Sequence, residues 1–267
     1  MQPLISTGEL EDRLDEVRIH DIRWALTDPS HGRSHYEAGH VPGAVYVDLD
    51  TDLAAQPGSQ SGRHPLPHPR EFAATLGRLG ITVADEVVVY DDMQNTIAAR
   101  MWWMLRSIGH DRVRIVDGGY QRWLEEGRPI QTGDFERDDT VYPTIEFTGV
   151  AFQDDLVGRP HVDGRSGDRY RGDHEPIDPK AGHIPGAINL STAGNTDASG
   201  RFLTAETLAQ RFEGIGDDPI VSCGSGVTAC HNALAMVIAG RQMPDLYVGS
   251  FSEWSRLDLP VSIGDIP

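Results

Sequence analysis

Cysteine is nearly absent: the 267-residue chain carries two, Cys223 and Cys230. Two thiols cannot build a disulfide framework, so the disulfide-stapled class of small secreted domains is excluded. On one shared helix their spacing would put them roughly 10 Å apart, too far to bridge. Long hydrophobic runs are lacking too, and no stretch reaches the length of a membrane span. The start, Met1-Gln2-Pro3-Leu4-Ile5, has no basic region leading into an apolar stretch, so no secretory signal is expected and the reducing cytoplasm is the expected compartment. Positive charge is in short supply: 23 Lys and Arg stand against 41 Asp and Glu, a formal net charge of −18. That balance argues against non-specific binding to nucleic acid or to anionic membrane, and an anionic substrate would need a local positive pocket. The histidines lack zinc-ligand spacing and Gly118-Gly119 does not fit a nucleotide fingerprint, so no metal and no other cofactor is expected.

What is present is concentrated around one of the two cysteines. Ile220-Val221-Ser222 is an apolar strand that ends at Cys223; Gly224-Ser225-Gly226-Val227-Thr228 is a small-residue loop, and a helical pattern begins at Ala229. A helix N-terminus favours negative charge, and glycines let backbone N–H groups crowd a sulfur without side chains intervening. A cysteine so placed is a candidate thiolate nucleophile. Cys230 reads as a core residue.

The chain also repeats itself. Gly39-His40-Val41-Pro42-Gly43-Ala44 returns as Gly182-His183-Ile184-Pro185-Gly186-Ala187. Val87-Val88-Val89-Tyr90-Asp91 returns as Pro219-Ile220-Val221-Ser222-Cys223, and Gly118-Gly119-Tyr120-Gln121-Arg122-Trp123 as Gly249-Ser250-Phe251-Ser252-Glu253-Trp254. The offsets are 143, 132 and 131 residues, which leaves the first copy about 11 residues longer between its first two landmarks. A period above a hundred residues means duplicated domains rather than solenoid units. The expected division is a domain over 1–128, a connection over 129–147 and a second domain over 148–267.

Each half alternates strand and helix patterns. In the first, strands are expected over 17–21, 44–48, 87–90 and 113–116, with helices over 70–79, 96–108 and 120–126. The second should place strands at 161–163, 187–190, 220–222 and 246–248, with helices over 204–212, after Cys223 and over 252–257. The fold class is therefore α/β, two tandem domains, each a parallel sheet flanked by helices. His40 and His183 recur in both copies although only one copy has the cysteine, so their motif reads as a structural turn. Trp123 and Trp254 read as core anchors.

On the duplication, the two Gly-His-x-Pro-Gly-Ala motifs and the cysteine loop, the chain resembles the two-domain rhodanese-type sulfurtransferases along nearly its whole length. Cys-Gly-Ser-Gly-Val-Thr is similar to the loop of the 3-mercaptopyruvate sulfurtransferases; thiosulfate-preferring members carry basic residues where Gly224 and Ser225 stand. The resemblance implies that Cys223 takes sulfur from a small anionic donor as a persulfide. It then passes the sulfur to a thiol, such as that of a thioredoxin-like protein, or to cyanide. Loop N–H groups of Gly224, Gly226, Val227 and Thr228 would hold the anion, and the first domain, with Asp91 in the cysteine's place, would be non-catalytic. It also implies that Arg169 contacts the donor with Arg165 in support, and that Ser225 acts with His64 and Asp50, the latter two from the first domain. The second donor-binding arginine of the mercaptopyruvate enzymes falls on Asp178, where an acid would repel a carboxylate; Arg171 is a candidate substitute. A cysteine phosphatase would need an arginine where Ala229 stands, and a non-catalytic carrier would be expected to lack the cysteine. A monomer is the expected state.

Overall fold

Apolar residues in unbroken short runs become the central strands, because a parallel sheet covered on both faces buries every side chain of its inner strands. Val87, Val88, Val89 and Tyr90 are all fully buried, and each such valine contributes about 1.5–3 kcal/mol by leaving water. The computed structural model describes residues 1–266. Its first sheet has β1 (Leu4–Ile5), β2 (Arg18–Asp21), β3 (Ala44–Tyr46), β4 (Val87–Tyr90) and β5 (Val113–Val116) in the order β1-β5-β4-β2-β3. The second has β6 (Val150–Ala151), β7 (His161–Asp163), β8 (Ala187–Asn189), β9 (Ile220–Ser222) and β10 (Asp245–Tyr247) in the order β6-β10-β9-β7-β8. All pairings are parallel, and the two orders are the same order twice. The expected α/β class and tandem architecture are therefore correct.

The chain forms two compact units. The first holds Met1–Ala55, Pro67–Thr148 and Asp197–Phe202; the second holds Gln56–Leu66, Gly149–Thr196 and Leu203–Pro267. The segments 56–66 and 197–202 thus each join the unit that holds the other half's sheet. Residues 129–147 are also no free connection. Gln131 and His40 exchange backbone hydrogen bonds, Thr140 donates to Gly77 O at 2.9 Å, and the Tyr142 ring packs on His110. The stretch has no periodicity because it is a strap whose polar groups are satisfied by the first unit's turns.

Elements not expected from the sequence are mostly short, the helix His31–Ala38 being the longest of them. β1 and β6 are two-residue edge strands, and the helix Gly167–Arg171, which carries Arg169, reads as a polar loop. The helix Ala205–Arg211 starts as expected: the side chain of Thr204 accepts from the backbone N–H of Thr207.

The repeated histidine motif has the same construction in both units. His40 Nδ1 lies 2.8 Å from Tyr36 O with the two rings stacked at 4.0 Å; His183 Nδ1 lies 2.8 Å from Tyr170 O with its rings stacked at 3.7 Å. Tyr36 and Tyr170 donate in turn to Ala44 O and Ala187 O. The motif is a folding device, and its histidines are structural.

Candidate active site

β9 lies in the middle of the second sheet, with Val221 opposite Val162 on one side and Leu246 on the other. Cys223 follows directly at the carboxyl end, where open α/β sheets bind ligands. It precedes the helix Ala229–Ile238 rather than lying on it, and both cysteines are free and buried. The turn after β10 fixes the loop. Cys223 N–H donates to Ser250 Oγ at 3.1 Å, Ser250 Oγ donates to Tyr247 O at 2.8 Å, and the N–H groups of Phe251 and Ser252 donate to the carbonyls of Cys223 and Gly224. Ser250 holds this place with φ of 51°, a conformation that side chains other than glycine adopt only under surrounding constraint. Gly226 has φ of +75°, and a Cβ there would lie 2.4 Å from Val248 O, so a glycine is required.

The first unit shows what such a loop does with its N–H groups. Asp91, at the position of Cys223, is fully buried, and its carboxylate accepts from the N–H groups of Met93, Asn95 and Ile97 at 2.7 Å and of Ala98 at 2.8 Å. Burial nevertheless pushes its carboxyl up to about 6, against those four donors. The loop is a nest for a negative group carried by the residue that ends the strand. At the offset of the duplication, Ser225, Val227 and Ala229 stand where Met93, Asn95 and Ile97 do.

His64 and Ser225 meet. His64 Nδ1 lies 2.8 Å from Ser225 Oγ, and both residues are buried. This pairing is internal to the second compact unit, to which Gln56–Leu66 belongs. The segment is tied down there: Arg63 N–H donates to Ser252 Oγ at 3.0 Å, Arg256 donates to Ser61 O, and Gly62 lies so close to Gly249 that a Cβ would come within 2.6 Å of its carbonyl oxygen. Asp50, the third expected member, lies in the first unit on the helix Leu49–Asp52, where its carboxylate accepts the Trp24 indole N–H at 2.8 Å.

Three arginines take different parts. Arg165 is buried inside the fold: it donates to Asp163 and to Gly182 O, reaches Glu175 at 3.4 Å, and stacks 3.8 Å over the Phe251 ring. Arg23 makes the same bonds to Asp21 and Gly39 O, over Tyr120, in the unit without a cysteine. Arg165 is therefore a framework residue, which agrees with the supporting role expected of it. Arg169 is different. Nε and Nη2 grip Glu175, Nη2 also reaches Asp178 at 3.0 Å, and Nη1 would be 3.4 Å from a Cβ on Gly224. Burial pushes Glu175 up, but the bonds from Arg169 and from the N–H groups of Asp178 and Ile177 outweigh it and hold the carboxyl below its ordinary range.

The sequence reading missed Arg63. Its Nη2 would be 3.0 Å from the same Gly224 Cβ, and its Nη1 pairs with Asp178, whose side chain is fully buried. Asp178 therefore does not confront a substrate as an unpaired acid: it bridges two guanidinium groups. Arg171 does not substitute, since it pairs with Asp173 and Asp265 at the surface. The only sequence signal for Arg63 is that it adjoins His64 within the stretch by which the first copy exceeds the second.

Among the described residues no group of three or more His, Cys, Asp or Glu is arranged to hold a metal ion, and no helix is long and apolar enough to cross a membrane. A parallel five-stranded sheet used twice, with a cysteine at the end of one central strand and an aspartate at the other, defines a tandem fold built for an anionic group at that strand end. Residues 6–126 and 151–257 both match the family described as Rhodanese-like domain. A Pseudomonas aeruginosa relative named as a probable 3-mercaptopyruvate sulfurtransferase is 40% identical over 98% of each chain. One from Mycobacterium tuberculosis, 39% identical over 95% of this chain and 94% of its own, carries the name of a thiosulfate sulfurtransferase. The solved 3-mercaptopyruvate sulfurtransferase of Leishmania major superposes with a TM-score of 0.87 at 32% identity, covering 95% of this chain and 74% of that one. The chain belongs to the rhodanese-like family and has two such domains. Its activity is sulfur transfer.

Proposed function

We propose that the sulfur donor is 3-mercaptopyruvate and that Cys223 carries the sulfur as a persulfide to an acceptor thiol. The observation that carries the choice of donor is the Ser225–His64 hydrogen bond. In the first half-reaction the Cys223 thiolate attacks the donor sulfur. The bond between that sulfur and the donor's CH2 breaks, and its electron pair leaves as the enolate of pyruvate. The enolate needs a proton, and the donor's S–H proton, relayed through the Ser225 hydroxyl and the His64 imidazole, supplies it. Pyruvate departs, and an anionic persulfide remains. Thiosulfate would leave sulfite, which needs no proton, so a buried hydroxyl–imidazole pair beside the loop has more to do for the mercaptan.

Arg63 and Arg169 supply the positive pocket that an acidic protein needs for an anionic donor. N–H groups of Gly224, Gly226, Val227 and Thr228 are assigned to the persulfide; the reading is supported by the first unit, where Asn95, the counterpart of Val227, donates its N–H to Asp91. In the second half-reaction an acceptor thiolate attacks the outer sulfur and releases the Cys223 thiolate; a thioredoxin-like dithiol, a small thiol and cyanide all satisfy this step. Two free cysteines suit a reducing compartment such as the cytoplasm.

The test is kcat/KM for 3-mercaptopyruvate against thiosulfate with one acceptor thiol, with Cys223→Ser as control. The expected result is a strong preference for mercaptopyruvate, a Cys223 one sulfur atom heavier by mass spectrometry, and no turnover in the serine variant. A preference for thiosulfate would reverse the donor assignment, and residual turnover in the serine variant would remove Cys223 from the reaction.

A further inference from the structure

The duplication also shows where the second unit lacks bulk. In the first unit Ile19 of β2 pairs with Ala44 and Tyr90 ends β4; in the second, His161 of β7 pairs with Ala187 and Ser222 ends β9. By register, His161 stands where Ile19 does and Ser222 where Tyr90 does. Ile19 and Tyr90 share one core with Val41 and Trp123, all four buried, and the Tyr90 ring reaches far enough for its hydroxyl to accept the Val41 N–H at 3.1 Å. Ser222 has no ring to span that distance; its Oγ lies 2.7 Å from His161 Nε2 instead. Beside this pair the second unit holds a cavity of about 260 Å³. Its walls include Ile184 and Trp254, the counterparts of Val41 and Trp123, with Leu156, Pro185, Arg159 and His161.

We infer that this cavity binds a small neutral aromatic molecule with one hydrogen-bonding group, held by its apolar walls and by His161 Nδ1. Three features carry it. His161 is 3% exposed, its Nε2 is engaged by Ser222, and its Nδ1 is buried with no hydrogen-bond partner. A buried polar atom left in that state is costly until something completes it. Leu156, Ile184, Pro185 and Trp254 make the walls apolar, and the indole N–H of Trp254 is spent on Pro260 O, which leaves its ring as the contact. The charges at the wall are spent as well: Arg159 is paired with Asp218 and Asp245, and burial pushes the His161 imidazole down to about 4, so it is neutral at physiological pH.

Size and position agree with this class of occupant. An apolar cavity of about 150 Å³ holds benzene, so about 260 Å³ takes one ring with a substituent. An ion would leave water for walls with no free charge to pair it, which excludes the anionic sulfur donor. Leu156 and Arg159 precede β7, and Ile184 and Pro185 precede β8, whereas Cys223 follows β9. The cavity therefore lies toward the amino ends of the strands and the nucleophile at their carboxyl ends. His161 is nevertheless bonded to the residue before Cys223, and Trp254 ends the helix Ser250–Trp254, whose first residues hold the cysteine loop. An occupant touches both elements that set the nucleophile.

Phenol and toluene are the probes: they differ by a hydroxyl in place of a methyl group, and a hydroxyl can serve either tautomer of His161. Ligand-observed NMR titrations of wild type, His161→Leu and Leu156→Trp give Kd for each probe. Wild type should bind phenol with Kd on the order of 1 mM. In His161→Leu the ratio of the toluene Kd to the phenol Kd should fall by about three- to tenfold, the size of one neutral hydrogen bond. Leu156→Trp fills the cavity and should lose both probes. Near-ultraviolet circular dichroism reports that each variant keeps its packing. Loss of both probes in a folded Leu156→Trp, with the fallen ratio in His161→Leu, supports the site. Binding that survives in Leu156→Trp would place the probes elsewhere, an unchanged ratio in His161→Leu would remove the imidazole from recognition, and no saturable binding to wild type would leave a cavity for water only; each of these overturns the assignment.

Discussion

At the scale of single residues, the Ser225–His64 pair is where chemistry and sequence agree best. A hydroxyl 2.8 Å from an imidazole, both buried, is a short proton path. If it serves the enolate, removing either end should cost about as much as removing both, because the two act as one unit. With mercaptopyruvate, His64→Ala and Ser225→Ala should each lower kcat by about 10²-fold, the range of a positioned proton donor, and the double variant should be no slower than the worse single one. With thiosulfate the losses should be small. Single-turnover release of pyruvate measures this; additive losses, or equal losses with both donors, would remove the pair from proton transfer. His64 and Ser225 were legible because each sits beside a motif. Arg63 was not, because its role depends on the fold of the segment that carries it, and spacing within one motif is blind to a partner more than a hundred residues away.

At the scale of elements, short buried strands were read to the residue: β4 and β5 are 87–90 and 113–116 as expected. Burial on both faces makes such runs largely apolar, and the one charged residue among them, Arg114 in β5, is paired with Glu9 and Leu4 O. Two-residue edges leave no periodicity to read, and the five-residue helix that carries Arg169 is polar on most of its surface. The cysteine loop was legible in kind, as a glycine-rich turn into a helix, but its scaffold was not: the turn after β10 supplies Ser250, Phe251 and Ser252 to its backbone. That scaffold makes Gly226 the element's most demanding position. In Gly226→Ala the methyl group would meet the Val248 carbonyl at a residue already in left-handed conformation. A loss of about 1–3 kcal/mol in unfolding free energy is expected, together with loss of persulfide formation. Denaturant unfolding and the mass of Cys223 after donor treatment measure both. A variant of wild-type stability that still takes up sulfur would show that the loop's path is not fixed by that carbonyl.

At the scale of the whole molecule, the duplication sorts structure from function. Whatever both units share cannot be peculiar to sulfur chemistry: the Asp21–Arg23 and Asp163–Arg165 pairs, the stacked Tyr36–His40 and Tyr170–His183 rings, and the Trp123 and Trp254 indoles that donate to Pro129 O and Pro260 O. What differs marks the site: Cys223 for Asp91, Ser225 for Met93, Ser250 for Gly119, and the surplus stretch of the first copy, which matches Gln56–Leu66 in length and carries Arg63 and His64. The length difference was visible in the sequence; where those residues pack was not, since it is decided by long-range contacts. Each unit also buries a histidine in neutral form. Burial, the largest cause, lowers His20 to about 3 and His161 to about 4. Below about pH 6.5 the unfolded chain protonates these imidazoles while the folded chain does not, so they contribute stability that is present above pH 6.5 and lost as pH falls towards 4. Asp91 acts in the opposite sense. Its carboxyl, raised to about 6, takes up a proton in the folded chain first, which adds stability as pH falls from about 6 to about 4. Two histidines with larger shifts oppose one aspartate, and the histidines should dominate the local slope. In His161→Gln, which can keep a hydrogen bond to Ser222, unfolding free energy between pH 6.5 and 4.5 should lose a slope approaching one proton, about 1.4 kcal/mol per pH unit. Denaturant titrations of both proteins at pH 7, 5.5 and 4.5 measure it, and parallel pH profiles would mean that the folded protein accommodates a charged imidazole beside Ser222.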